Sequence, residues 1–463
     1  MTDLRAVADL TEKLCPAWLE RLPRYVAIQG VSMQPEHAAD VRRLANLVAA
    51  DLRDIGVRDV AVRDLPGKPD ALPIVTGEIG PDDPKAPTVL VYGHYDTQPS
   101  EPSTWKVSHP LEVKEKDGRL YGRGTADDLG GWLSHFAALE AWKKHGGVPV
   151  RVKLILEGEE ESGSTHLEGY MDAYPDVFTA DAMVLTDCEN PDVETAGLTV
   201  SLRGLVTMDV VARSLTGRVH SGVFGGIVPD PVMALFKAAS SLVDERGRIV
   251  GLSADVSDAE RVSLRKAFDP AELKGHPLLP GVEPLPNDDR PAAELLWRQP
   301  SLTIIGADVT PVAQSANAVA PECRVRLSLR VPPGMEPDVV EQHARARLEA
   351  MRPFGLALEV SRVGVSAQSW LYEPKGPAFD AFDRACTIGF GKPFRKIGIG
   401  GTIPFIALFG RRFAGVPLIL NGVMDPLTNA HGPDESLDIA LFNKVARTNA
   451  VLYGELATVL RAR

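Results

Sequence analysis

Carboxylates and imidazoles gather in three places: Gly93-His94-Tyr95-Asp96, Gly122-Arg123-Gly124-Thr125-Ala126-Asp127-Asp128, and Glu157-Gly158-Glu159-Glu160-Glu161-Ser162-Gly163-Ser164. A further acid, Asp187, follows an apolar run, and His431 lies in NAHGPDES near the C-terminal end. If these segments converge, several carboxylates share one cleft, where like charges repel and raise each other's pKa. Divalent cations relieve that repulsion. Mixed imidazole and carboxylate donors suit zinc first, with manganese or cobalt as alternatives. Two imidazoles and three or four carboxylates are enough for two cations sharing one bridging carboxylate. Such a pair activates water and polarises a carbonyl oxygen. His94 and Asp96 stand two apart at a strand end, so their side chains can point the same way. Asp96 can then take the second ring N–H of His94 and fix its tautomer. The adjacent acids Glu160 and Glu161 can divide the labour, one ligating and one taking a proton from water.

Strands are needed to deliver these groups. PTVLVYGHYD, VRVKLILEGEEESGS and ADAMVLTDCEN are short apolar runs that end in the chemistry, as strands buried on both faces do. GGWLSHFAALEAWKKHG reads as an amphipathic helix, as do VRRLANLVAADLRDIG before the strands and IALFNKVARTNAVLYGELATVLRA at the end. The alternation predicts an α/β domain: a mixed, largely parallel sheet with helices on both faces. Ligands of such sheets bind past the carboxyl ends of the strands. The pattern changes near Arg203. LVTMDVVARS, RVRLSLRVPP and LALEVSRV read as strands, with helices over 230–246 and in EPDVVEQHARARLEAMRP. The expected organisation is a discontinuous catalytic domain, 1–203 and 371–463, interrupted by a smaller α+β, ferredoxin-like domain over 204–370. Residues 262–300 are Pro-rich and read as irregular.

Composition narrows the function. The chain has 463 residues, 50 Lys+Arg and 62 Asp+Glu, a formal net charge of -12. Nucleic-acid affinity rests on neutralising phosphates with basic residues, so no nucleic-acid partner is expected. No uncharged run approaches the ~18 residues that span a bilayer, so no membrane partner is expected. MTDLRAVADLTEK lacks the apolar stretch of a signal peptide. The four cysteines are dispersed, with no CxxC pair, which fits a reducing, cytoplasmic setting. Cys188, beside Asp187, has no nucleophile signature and reads as buried and inert. The Glu159–Glu161 run could be a solvated charge run, but a strand directly before it delivers it to a cleft. Asp127 and Asp128 could cap the next helix, one ligating and one capping. His37, His109, His135, His145, His166, His276 and His343 read as packed or surface residues.

GHYDTQP, GRGTADDLGG, EGEEESGS and the later HSGVFGG together resemble the M20 metallopeptidase family. The resemblance is strongest to its branch of cytosolic nonspecific dipeptidases and carnosinase-like enzymes, and it runs in order along nearly the whole chain. It implies a carboxypeptidase-like, two-metal hydrolase of dipeptides or small N-acyl amino acids with a free carboxylate. His94, Asp127 and Asp187 would hold one cation, and Asp127, Glu161 and His431 the other, with zinc the expected metal. Asp96 would orient His94. Glu160 would be the general base acting on a bridging water, leaving Glu159 a bystander. His220 would stabilise the oxyanion, reaching a neighbouring subunit's site in a homodimer. Arg330, Asn317, Gly401 and Thr402 would contact substrate, Arg330 and Thr402 near its carboxylate. Two departures stand out: Leu129 where the family commonly has Lys, and NAVAP (317–321) where Ile or Leu usually precedes Pro. The alternatives are an N-acetyl, N-succinyl or N-carbamoyl amino acid amidohydrolase, and a catalytically silent peptide-binding protein.

Overall fold

The computed structural model describes residues 3–268, 278–285, 289–401 and 403–460. The chain divides into two compact units. One is Met1–Val200 with Glu373–Ile397 and Pro404–Arg463; the other is Ser201–Tyr372 with Gly398–Ile403.

In the first unit the apolar runs form a six-stranded sheet. Its order is Arg58–Arg63, Ile74–Ile79, Arg151–Glu157, Thr88–His94, Ala182–Leu185, Leu418–Leu420. Thr88–His94 runs parallel to both its neighbours, and Leu418–Leu420 continues the parallel set. The first two strands are antiparallel additions at one edge. The sheet is therefore mixed and largely parallel, as the alternation of elements predicted. Val89 to Tyr92, Leu154 to Leu156 and Ala182 to Leu185 are all 0% exposed, which is why these runs carry almost no polar residues. Burial of each such Val, Leu or Ile contributes roughly 1.5–3 kcal/mol. From Thr88–His94 the chain goes next to the strand on one side, then to the strand on the other. The order thus reverses at this strand, the position where open α/β sheets place their ligands.

The helix Gly131–Lys144 departs from the amphipathic reading, since every residue from Gly131 to Leu139 is buried. It packs against both Leu4–Leu19 and Ile439–Val459, so little of its circumference is left for water. Phe136 stacks edge-on against Trp18 at 5.6 Å and lies 4.9 Å from Trp132. Trp142 donates its indole N–H to the Ala450 carbonyl at 2.7 Å.

The second unit is built on a four-stranded antiparallel sheet, in the order Ser301–Asp308, Glu322–Val331, Gly204–Arg213, Leu358–Ala367. Val206, Met208, Val210 and Ala212, with Cys323, Val325, Leu327 and Leu329, line one face. Leu235 and Ala238 of helix Pro231–Ser240 and Val340, Ala344 and Leu348 of helix Pro337–Ala350 complete that core. Asp209, Arg324 and Arg326 belong to the alternate, charged positions, with Arg326 Nε 2.7 Å from Asp209 Oδ1. Three local features differ from the sequence reading. The first helix ends at Ser240 rather than 246, because Asp244 turns back to accept the backbone N–H groups of Arg246 and Arg248, both at 2.9 Å. Ala292–Trp297 is a helix within the Pro-rich stretch, entered from Pro291. Ser301–Asp308 is an additional edge strand. Ile304 and Ile305 are both exposed and a register shift follows, so it lacks the alternation that marks a half-buried strand. Gly398–Ile403 belongs to this unit, and Arg203 Nε donates to the Gly400 carbonyl at 3.0 Å. Among the described residues no helix is long and apolar enough to cross a membrane.

Candidate active site

The parallel strands of the first unit deliver His94, the Glu160–Glu161 pair and Asp187, while Asp127 and His431 come from turns. His94 is the last residue of Thr88–His94 and is fully buried. Its Nε2 lies 3.1 Å from Asp127 Oδ1. Its Nδ1 faces Asp96, 3.1 Å from the backbone carbonyl and 3.4 Å from the carboxylate. An Nδ1–H donated to Asp96 leaves Nε2 as the ligating nitrogen. Asp96 has a second role that the spacing did not reveal. Its two oxygens accept the backbone N–H groups of Glu160, at 3.2 Å, and Glu161, at 3.0 Å. One carboxylate therefore orients the imidazole and anchors the turn that carries both glutamates.

Asp127 is the meeting point. His94 approaches its Oδ1, and His431 Nε2 lies 3.0 Å from its Oδ2. Glu161 Oε2 is 3.3 Å from the same His431 nitrogen and accepts Gln98 Nε2–H at 2.7 Å. Two groups with ligand atoms within 4.8 Å of one another result: His94, Asp127 and Asp187, and Asp127, Glu161 and His431. The donors are imidazole nitrogens and carboxylate oxygens, most of them buried, with one carboxylate common to both sets. This is a donor set that fits two divalent cations. His431 is reached differently from the others. Its side chain is 57% exposed, and its φ of 64° is left-handed, which costs a non-glycine residue on the order of 1–3 kcal/mol.

The charges press on one another. Burial alone would raise Asp127, yet His431 and His94 hold it well below the usual carboxylate range. Burial would lower His94, but the Asp127 and Asp96 carboxylates outweigh it and raise it. Burial and the nearby Asp127 push Asp187 up to about 7. Glu160 and Glu161 are raised by burial and by neighbouring carboxylates, although His94 opposes both shifts. Among the described residues, no hydrogen bond reaches the Glu160 carboxylate. It is an acid held near the centre without a fixed partner.

Other expectations fare differently. Asp128 does not cap the following helix. Its Oδ2 accepts the His94 backbone N–H at 3.2 Å and the Thr186 hydroxyl, tying two strand ends together. Gly93 leaves room for it, since a Cβ there would lie 2.6 Å from that oxygen. Glu159 turns away to His166 Nδ1, at 2.9 Å, and to the Leu72 N–H, at 3.0 Å. Leu129 is 1% exposed, so that position brings no charge to the centre. His135 is buried against the Tyr453 hydroxyl at 2.7 Å, and Cys188 is buried. His276 lies outside the described residues.

The remaining candidates belong to the second unit. His220 is exposed on a two-residue strand paired with Ala318–Val319, beside Asn317, whose carbonyl accepts the Ser221 N–H at 2.9 Å. His220 Nδ1 accepts the Gly222 N–H at 3.1 Å, so in the neutral ring Nε2 carries the hydrogen. Arg330 is half-buried on Glu322–Val331, opposite Leu205, and burial lowers its pKa. Arg203, which the sequence reading passed over, is pushed down to about 10 by burial and by the charge of Arg330. Gly401 lies in the turn after Gly400; Thr402 lies outside the described residues.

A mixed, largely parallel α/β sheet with a paired acid–imidazole centre past its strand ends is the layout of a metal-dependent hydrolase. The profile described as peptidase family M20/M25/M40 matches residues 90–453, and the chain belongs to that family. It is 35% identical over 440 residues to the cysteinylglycine-S-conjugate dipeptidase of Corynebacterium striatum, covering 93% of each chain. It is 32% identical over 419 residues to the Beta-Ala-His dipeptidase of Rattus norvegicus, covering 85% of this chain and 83% of that one. The crystal structure of human carnosine dipeptidase 1 superposes with a TM-score of 0.84 at 26% identity, covering 98% of this chain and 99% of that one.

Proposed function

We propose that the protein hydrolyses the peptide bond of dipeptides with a free carboxylate, using two divalent cations, zinc first. The sharing of Asp127 between two ligand groups, with a separate unligated acid in Glu160, carries this reading. Dipeptides are favoured because the relatives named above are dipeptidases. His94, Asp127 and Asp187 would hold one cation, and Asp127, Glu161 and His431 the other. Bound there, they would supply Lewis acidity toward the scissile carbonyl and a lowered pKa for water. Glu160 accepts the proton of the attacking water and hands it to the leaving amine. Asp96 keeps His94 in the ligating tautomer and holds the Glu160–Glu161 turn. We assign Arg330, Asn317, Gly401 and Thr402 to the substrate.

A panel decides the substrate class: dipeptides, including Cys-Gly and β-Ala-His, against N-acetyl, N-succinyl and N-carbamoyl amino acids, each with Zn²⁺, Mn²⁺ and Co²⁺. Dipeptides are expected to give the highest kcat/KM. Preference for an N-acyl amino acid would move the protein to the deacylase reading.

His220, whose Nε2–H meets no acceptor among the described residues, is assigned to the oxyanion, and we infer that a homodimer delivers it to the neighbouring subunit's centre. Mixing His220→Ala with Glu160→Ala subunits under exchange conditions should then restore part of the activity that each variant lacks. Proven exchange without complementation would place His220 in its own subunit's site.

A further inference from the structure

Two short strands, Arg119–Tyr121 and Ser436–Asp438, pair antiparallel, with Tyr121 opposite Ser436. Just beyond this pairing Arg123 Nη1 meets Glu435 Oε2 at 2.7 Å; the side chains are 5% and 0% exposed. Neither residue supplies a ligand atom to the two cation groups. The Glu435 carboxylate also accepts three backbone N–H groups: Gly124 at 3.0 Å, Ala126 at 3.2 Å and Asp127 at 3.1 Å. The other arm of Arg123, Nη2, donates to the carbonyls of His431, at 3.1 Å, and Gly432, at 3.0 Å. Its Nε donates to Ser100 Oγ at 2.9 Å, and Trp105 lies under the guanidinium at 5.5 Å.

One carboxylate thus holds the turn carrying Asp127, one guanidinium holds the turn carrying His431, and the two are joined to each other. The planar fork of arginine can span these acceptors at once; lysine cannot. His94 needs no such device, because a strand bonded on both sides fixes it. Asp187 stands two residues past the end of Ala182–Leu185, a strand of the same sheet. His431 has no strand. It sits in a loop with left-handed backbone, more than half exposed, and is held through its own carbonyl.

We propose that Arg123 and Glu435 are a positioning pair that sets the separation of Asp127 and His431 before a cation arrives. They would thereby fix the affinity of the Asp127–Glu161–His431 group more than that of the His94–Asp127–Asp187 group. The proposal rests on the two-cation reading above. A purely structural pair would instead lower thermal stability and weaken both groups alike.

The test is a titration of metal-free protein with Zn²⁺ against a chromophoric chelator, for wild type, Arg123→Lys, Glu435→Gln and His431→Ala. His431→Ala identifies which binding step belongs to the second group. Both pair variants are expected to weaken that step by about 10- to 100-fold, the usual effect of losing a group that orients a ligand. The other step should weaken markedly less, because Asp127 serves both groups but His94 and Asp187 are placed by the sheet. Two unchanged steps, or two steps weakened equally, would overturn the proposal. A second arm uses wild type alone and does not depend on the variants folding. The Gly124, Ala126 and Asp127 amides should resist hydrogen exchange already in the metal-free protein. Protection that arises only on adding Zn²⁺ would show that the pair does not pre-build the site. Wild type that takes up no cation would refute the functional reading, and the amide exchange would still decide the pair.

Discussion

Glu160→Gln is expected to leave both cations bound and lower kcat by about 10²–10⁴-fold, the usual contribution of a positioned base. That corresponds to about 3–5 kcal/mol of barrier. The substitution is nearly isosteric and removes only the capacity to accept a proton. The backbone N–H of Glu160 still reaches Asp96, so the turn keeps its anchor. Glu161, which faces His431, is untouched, so the ligand set survives. Because no hydrogen bond to the Glu160 carboxylate exists among the described residues, the substitution breaks no network there. KM should change little, since the lost interaction belongs to the transition state. Metal content is measured alongside turnover. Near-normal kcat with two cations bound would remove Glu160 from its role. Loss of a cation would show that it ligates.

Much of the fold was legible because buried parallel strands have to be apolar throughout. VLVY and LILE could be read directly, and the chemistry at their ends followed. Ser301–Asp308 was not legible. An edge strand with exposed Ile304 and Ile305 satisfies neither alternation nor continuity. The full burial of Gly131–Lys144 was hidden as well, since it depends on helices from both ends of the chain. In the site, spacing suggested that Asp96 orients His94, but not that it also holds the glutamate turn. That contact crosses from one strand end to the next and leaves no local periodicity. Gln98 was visible in GHYDTQP only as part of a motif, although it donates to Glu161. Arg123 and Glu435 stood in quoted motifs, yet their partnership joins segments that only the folded chain brings together.

Removing divalent cations with a chelator is expected to abolish activity, and Zn²⁺, Mn²⁺ or Co²⁺ to restore it. Full activity of a preparation shown by elemental analysis to be metal-free would rule the centre out. The same experiment has a pH signature in stability. Asp187, at about 7, and Glu157, raised to about 8 mainly by burial, both have folded pKa values above their ordinary ones. Such groups favour the folded state fully below their unfolded pKa, and that contribution disappears as pH rises through the folded value. His94 and His431 are raised too and act in the same direction. His135 is lowered to about 3 by burial, so its contribution is largely complete above its unfolded pKa and does not oppose the trend at alkaline pH. The melting temperature of the metal-free protein should therefore fall between about pH 7 and 8.5. Cation binding requires Asp187 ionised and His94 neutral, so affinity rises over the same window and the loaded protein should lose less. A metal-free melting temperature that is flat or rises across this window would show that the carboxylates are not crowded as the geometry places them. Equal losses with and without metal would show that the cations bind elsewhere.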